Sequence, residues 1–330
     1  MKNKLNIAVL GGGYTSEREI SLNSAKQIFA NLSTNKCNPF LVDVSYDGMF
    51  CITDGQKFKL DLNDFSTIIN GIKIKFDFVF IVIHGSPGED GKIQGYFDIL
   101  NIPYSSCGVL TSAVTFDKIS CKKFLQNNPQ IFMAKSIVID EYSEPSVNQI
   151  IKIVGLPCFV KPNTSGSSYG VTKVYEKENF INAVNHARTE DKIVLVEEFI
   201  KGIEVSCGAF KTKNTVKVLP VTEISTKKDY FDTQAKYEIG LTEEITPARI
   251  SKKIIKLVQK TTLLIYKELR CKGIVRVDFI IKNEIPYFLE VNSIPGMSEA
   301  SIIPKQILAE GLSLTDVLWE IVENEMNTLL

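Results

Sequence analysis

The sequence predicts an α/β protein built in several units, on three observations. The first hundred residues alternate short apolar runs with helix-like segments. A glycine- and serine-rich loop interrupts a run of strands in the middle of the chain, and near the C-terminus two strands lie only a few residues apart. With 330 residues the chain exceeds the ~250 to 300 at which a single core usually stops growing. Three units are expected, covering residues 1–104, 105–192 and 193–330.

In the first unit, residues 7–10, 39–44 and 76–83 read as strands and 21–32 and 91–100 as helices. This βαβ rhythm predicts an open parallel sheet. Gly11-Gly12-Gly13 follows the first strand, and His84-Gly85-Ser86-Pro87-Gly88-Glu89-Asp90-Gly91 follows the last. Ligands in such sheets gather at these carboxyl ends. A single histidine is often only a well-bonded structural residue, but His84 is one of two in the chain and stands in a strand-end loop, which favours a role in the site. His186 falls in a surface helix and is assigned nothing.

In the second unit, helices are expected at 111–126, 145–154 and 177–188, with strands at 131–139, 158–161 and 171–175. The loop 162–170 between the last two strands contains Gly166, Ser167 and Ser168. Backbone N–H groups of such a loop can close on phosphate oxygens, and Lys161 at its edge supplies charge. The common P-loop pattern is absent. Taken alone, a loop of this composition is more often just a turn.

The third unit opens with strands at 193–199, 204–210 and 216–224. Glu197-Glu198-Phe199-Ile200 ends the first of them, and Glu204 follows. Backbone hydrogen bonds beside apolar side chains suit a flat purine, with a carboxylate for ribose hydroxyls; the alternative is an edge strand with solvated acids. Residues 225–244 are polar and without a period, as lids and binding loops are. A helix at 247–270, strands at 273–281 and 286–291, and helices at 302–309 and 315–324 complete the chain.

The last two strands should pair as a hairpin. If the turn centres on Glu284, Asp278 lies opposite Glu290 and Arg276 opposite Asn292. Alternation then places these four on one face and Val275, Val277, Phe279, Leu289 and Val291 on the other. Directly opposed Cβ atoms are ~4.5 to 5.5 Å apart, so two carboxylates there repel unless a cation lies between them. Two carboxylates and the amide oxygen of Asn292 suit magnesium. The alternative is a solvated face on which Arg276 screens both acids.

Lys plus Arg and Asp plus Glu are equal at 38 each, so no net field draws the protein to nucleic acid or an anionic membrane. No apolar run approaches the ~18 residues of a membrane span. The seven cysteines are scattered singly, an odd set that reads as reduced thiols in a cytoplasm.

Together these segments resemble the D-alanine:D-alanine ligases of the ATP-grasp superfamily over essentially the whole chain. The matching strings are Ser16-Glu17-Arg18-Glu19-Ile20-Ser21, His84 through Gly91, Phe116-Asp117-Lys118, Lys161-Pro162 with Gly166-Ser167-Ser168, Ala235-Lys236-Tyr237, Arg276-Val277-Asp278, and Glu290-Val291-Asn292 with Pro295-Gly296-Met297. The resemblance implies a pre-ATP-grasp domain followed by two ATP-grasp α+β subdomains. It implies that Lys118, Lys161 and Ser168 hold ATP phosphates, with Lys236 over the γ-phosphate. Glu197, Glu198, Phe199, Ile200 and Glu204 would surround adenine and ribose, and Asp278, Glu290 and Asn292 would ligate magnesium or manganese, as two ions.

By the same resemblance, Glu17 holds the first D-alanine's ammonium, His84 lies beside its carboxylate, and Ser301 meets the carboxylate of the second. Arg276 and the backbone of Gly296 stabilise the oxyanion, and Ser167 and Tyr237 hydrogen-bond toward Glu17. The product is D-alanyl-D-alanine for peptidoglycan, formed through an acyl phosphate by a cytoplasmic homodimer. Departures from the family pattern are Tyr14-Thr15, Lys92 and Asn163-Thr164-Ser165. Another ATP-grasp ligase would lack the Glu17 and Lys236-Tyr237 strings, and a Rossmann dehydrogenase would need a third glycine where Ser16 stands. A non-catalytic nucleotide binder has little need for both a metal set and an oxyanion arginine.

Overall fold

The structure, a computed structural model, describes residues 4–327 apart from 33–34, 141, 144, 165, 167–168 and 227–241. In the first unit the chain forms β1 (Leu5–Gly12), α1 (Arg18–Asn31), β2 (Cys37–Ser45), β3 (Gly48–Thr53), β4 (Gln56–Asp61), β5 (Ser66–Ile69), β6 (Ile72–Lys75), β7 (Phe78–Ile81) and α2 (Lys92–Leu100). The strand order is β6-β5-β4-β3-β2-β1-β7. The expected parallel pairing holds for β2-β1-β7, and β1 and β7 are buried along most of their length because helices and loops cover both faces. The sequence-based expectation omits β3 to β6, an antiparallel meander that curls away from the parallel part. Its strands are short, and β4 and β6 alternate apolar with charged or polar residues, so they lack the apolar run of a central strand.

The predicted helix 111–126 is two helices, α3 (Val109–Phe116) and α4 (Lys118–Leu125), broken at Asp117. Asp117 adopts an extended backbone and its side chain accepts from the Ser120 N–H, which caps α4. Next come β8 (Phe132–Met133), β9 (Ser136–Ile139), α5 (Val147–Val154), β10 (Cys158–Pro162), β11 (Thr172–Val174), α6 (Phe180–Arg188) and β12 (Val194–Glu198). A four-stranded sheet, β11-β10-β12-β9, packs with α5 and α6 around a core of its own that includes Ile150, Val160, Phe180 and Val196.

The remaining elements are β13 (Ile203–Lys211), β14 (Val216–Thr226), β15 (Thr242–Ile245), α7 (Lys252–Glu268), β16 (Ile274–Lys282), β17 (Ile285–Asn292), α8 (Ile302–Ala309) and α9 (Leu314–Asn327). Their sheet runs β15-β14-β13-β16-β17-β8, so the short β8 joins it rather than the four-stranded sheet. One face packs on α7 with Cys121, Leu125 and Ile131. The two C-terminal helices pack against β1, β7 and α1, with Ile303, Val317, Leu318 and Ile321 meeting Ile7, Val9, Ile28 and Phe80. Each such fully buried side chain contributes about 1.5 to 3 kcal/mol. That joint welds the first and third units.

Candidate active site

The hairpin β16–β17 has the expected register where it matters: Asp278 faces Glu290 and Arg276 faces Asn292. The turn is Asn283-Glu284, both at positive φ, the two-residue geometry that matches strand twist. A bulge between Asp278 and Phe279 then shifts the pairing by one residue, so that Phe279 faces Phe288. Leu289 was expected in the core; the bulge instead turns Phe288 inward, at 2% exposure, and leaves Leu289 half-buried.

Asp278 is buried and fully engaged. Arg276 donates to it twice, from Nε at 2.9 Å and Nη2 at 2.8 Å, and Asn292 Nδ2 and Ser206 Oγ donate at 2.9 and 2.5 Å. Each carboxylate oxygen thus accepts two hydrogen bonds, which fills its lone pairs. Burial works against the Arg276 charge, but Asp278 more than offsets it and raises the pKa of the guanidinium. Glu290 stands 3.6 Å from Lys118 Nζ. Among the described residues no three His, Cys, Asp or Glu side chains form a metal-holding group. The donor set is therefore two carboxylates and an amide oxygen. Asn292 gives its Nδ2 to Asp278 and keeps Oδ1 as acceptor, so these hard oxygens fit a hard divalent cation once Arg276 gives up one of its bonds.

This hairpin forms one wall of a cleft of about 330 Å³, into which the first unit and the phosphate loop also reach. Glu17, His84, Lys118, Arg276, Glu290, Asn292, Gly296 and Ser301 all line it. Arg18, the residue after Glu17, anchors the start of α1 to β2, donating to the Val44 carbonyl and to Asp43 Oδ1, both at 2.6 Å. A Cβ placed on Gly166 would lie 2.5 Å from Glu17 Oε2, so the loop backbone comes directly up to that carboxylate. Ser301 begins α8 beside Gly296, and the buried Gln306 ties that helix to β13 and β14 through the Gly208 N–H, the Ser206 carbonyl and the Thr222 hydroxyl.

His84 is buried, with Nδ1 3.0 Å from the Ile294 carbonyl and Nε2 3.4 Å from Ser24 Oγ. Since a carbonyl can only accept, Nδ1 carries the proton. Burial lowers the His84 pKa against the pull of Glu17, leaving a neutral ring at pH 7. Its bonds, with Met297 N–H donating to Ser24 Oγ at 3.2 Å, pin the loop that contains Gly296.

Two further lining acids, Glu89 in the string 84–91 and Glu244 at the end of the polar stretch 225–244, are given no role by the sequence. Glu89 accepts the Gly85 N–H at 2.8 Å, and burial, then the nearby Glu17, push its pKa up to about 8. Glu244 pairs with Lys305 at 2.8 Å.

Lys161, Glu197, Glu198, Phe199, Ile200 and Glu204 do not line this cleft; they stand on β10, at the end of β12 and on β13. Glu197 is clamped between Lys161 and Lys122. Burial opposes its charge, but the two lysines prevail and hold its pKa at about 2. The sole sequence signal for Lys122 is its place four residues after Lys118, on the same face of α4. Lys173 Nζ lies 3.7 Å from the centre of the Phe199 ring. Ser167, Ser168, Lys236 and Tyr237 lie outside the described residues.

The N-terminal family model of D-ala D-ala ligases matches residues 6–107 and the C-terminal one matches 127–323. The D-alanine–D-alanine ligase of Azobacteroides pseudotrichonymphae is 48% identical, covering 97% of this chain and 99% of its own. Among solved structures, D-alanyl-alanine synthetase A from Vibrio cholerae superposes with a TM-score of 0.88 at 27% identity, over 99% of both chains. The Bacillus anthracis D-alanine–D-alanine ligase complexed with ATP gives 0.80 at 31% identity, over 99% of this chain and 98% of that one. With both family models matched in order and the cleft built from their two parts, the chain belongs to the D-alanine–D-alanine ligase family.

Proposed function

We propose that this chain joins two D-alanines into D-alanyl-D-alanine for peptidoglycan synthesis, converting ATP to ADP and phosphate. The observation that carries the site reading is that a first-unit acid, a phosphate-loop glycine and the hairpin's Arg276, Glu290 and Asn292 meet around one cleft.

Enzymes of this family use ATP and a divalent metal. Here Asp278, Glu290 and Asn292 would hold magnesium or manganese, as two ions, which supply charge neutralisation along the phosphate chain. Lys118, Lys161, Ser168 and the lid residue Lys236 position the phosphates, while Glu197, Glu198, Phe199, Ile200 and Glu204 surround the adenosine. Phosphoryl transfer to the carboxylate of the first D-alanine needs positioning and charge balance more than a protein nucleophile.

Glu17 holds that substrate's ammonium, with Ser167 and Tyr237 steadying it, and neutral His84 borders its carboxylate. Ser301 holds the carboxylate of the second D-alanine, whose amine attacks the acyl phosphate. Arg276 and the Gly296 N–H then receive the developing oxyanion, which they are fixed in advance to accept. Because water would hydrolyse the intermediate, the stretch 225–244 is assigned to cover the cleft; its ends pair as strand in β14 and β15 rather than as loop, and 227–241 lie outside the described residues. The working division of the chain is 1–104, 105–192 and 193–330, except that β12 (Val194–Glu198) pairs into the four-stranded sheet of the second unit. A cytoplasmic homodimer is the assembly the family resemblance supports; among the described residues no helix is long and apolar enough to cross a membrane.

The test supplies ATP, magnesium and a panel of D-amino and D-hydroxy acids and identifies products by mass. D-Alanyl-D-alanine should dominate; a different major product would overturn the substrate assignment.

A further inference from the structure

One buried side chain ties the root of the phosphate loop to the first turn of α4. Asn163, two residues past Lys161, is 1% exposed, and each of its polar groups has a partner. Its N–H donates to the Ile193 carbonyl at 3.0 Å, and its own carbonyl accepts the Lys118 N–H at 3.4 Å. Oδ1 accepts the Ile119 N–H at 3.0 Å, and Nδ2 donates to Asp117 Oδ2 at 2.6 Å. Asp117 uses its other oxygen, 2.7 Å from the Ser120 N–H, to cap the same helix. On the loop's next residue, the Thr164 N–H and hydroxyl both donate to Asp191 Oδ2, at 2.9 and 2.5 Å.

The position demands an acceptor toward a helix N–H and a donor toward a carboxylate, on one short side chain. An amide supplies both; a carboxylate would set acceptor against acceptor, and a serine would reach only one partner. The first turn of α4 carries Lys118, and the strand before Asn163 carries Lys161. Two lysines on separate elements converge on one phosphate chain only if those elements hold a fixed spacing, and Asn163 is bonded to both.

We propose that Asn163 is a positioning residue for nucleotide binding, locking α4 to β10 so that Lys118 and Lys161 address the same phosphates. This rests on the reading that those lysines hold ATP, and a Lys161→Ala control tests that reading separately. The swap of the pair is available because an asparagine at 117 can still cap Ser120 through its oxygen while donating its Nδ2 to an aspartate at 163.

The test measures affinity for a non-hydrolysable ATP analogue with magnesium by calorimetry, KM for D-alanine, and Tm. Asn163→Asp should weaken nucleotide affinity about tenfold or more, because it sets two carboxylates together at a buried contact. KM for D-alanine should stay within about twofold, and the double variant Asp117→Asn/Asn163→Asp should recover nucleotide affinity to within about threefold. Unchanged affinity in Asn163→Asp while Lys161→Ala weakens binding overturns the inference. So does a folded double variant without recovery, or a loss in which nucleotide affinity and KM for D-alanine change in step with Tm. If Asn163→Asp does not fold, the double variant decides: normal affinity supports the pairing, and failure to fold rejects it. Unchanged affinity in Lys161→Ala removes the underlying reading, and the inference with it.

Discussion

The two ends of the site carry opposite unbalanced charge. At the Lys122–Glu197–Lys161 clamp, one buried carboxylate is held by two ammonium groups, leaving positive charge in excess. Along the cleft, Glu17, Glu244 and Glu290, with Asp278 bonded to Arg276, face Lys118, Arg276 and Lys305 among the described residues, leaving negative charge in excess. The first end is suited to phosphates. The second is suited to a divalent cation and an ammonium, and Glu89 keeps its proton near neutral pH because burial, then the neighbouring Glu17, disfavours its charge. Asp278, filled by four hydrogen bonds, and Glu290 show a second contrast: Asp278 meets its cation on its own strand, at Arg276, and Glu290 meets one from α4, Lys118, at 3.6 Å.

That contrast can be broken at several points. Removing charge at the acidic end should have the largest effect: Glu290→Gln should cut phosphate release from ATP plus D-alanine by at least about a thousandfold, and normal turnover would remove the metal assignment. At the basic end, Glu197→Gln leaves two buried lysines facing each other and should cost about 3 to 5 kcal/mol in urea unfolding. The sign with pH follows from the depressed pKa: the Glu197 contribution is present above about 4.5 and lost as pH falls toward about 2. The wild type should therefore lose its advantage over the variant on acidification.

Glu89 should behave in the opposite sense. Its raised pKa means that its contribution is intact below about 4.5 and lost as pH rises through about 8. Ligand-free wild type should lose about 1 to 3 kcal/mol relative to Glu89→Gln between pH 6 and pH 9, read from denaturant midpoints. A flat difference would show that the acidic end is less crowded than described. The smallest effect is expected at Ser301→Ala, where KM for the second D-alanine should rise about fivefold through loss of one hydrogen bond.

The hairpin was legible because its chemistry follows from period-two alternation and a short turn. The prediction that Leu289 is buried failed because a bulge adds one residue without any marker in the sequence; the same bulge brings Asp278 opposite Glu290. The α3–α4 break was hidden because the apolar pattern continues across Asp117, and only its cap shows the interruption. The Glu197 clamp was not legible at all, since it joins residues from α4, β10 and β12 that are brought together only by tertiary packing. Glu89 lies within the string 84–91, but its protonation follows from its burial and then from Glu17, both of which only the fold supplies.

The four-stranded sheet with α5 and α6 draws its apolar interior from residues 139–196 alone, whereas the first and third units share one. A lobe with a private interior owes its place to polar ties instead: Asn163 and the Lys122–Glu197 pair fasten it to α4, so cutting those ties should loosen its hold on the rest without opening any apolar core.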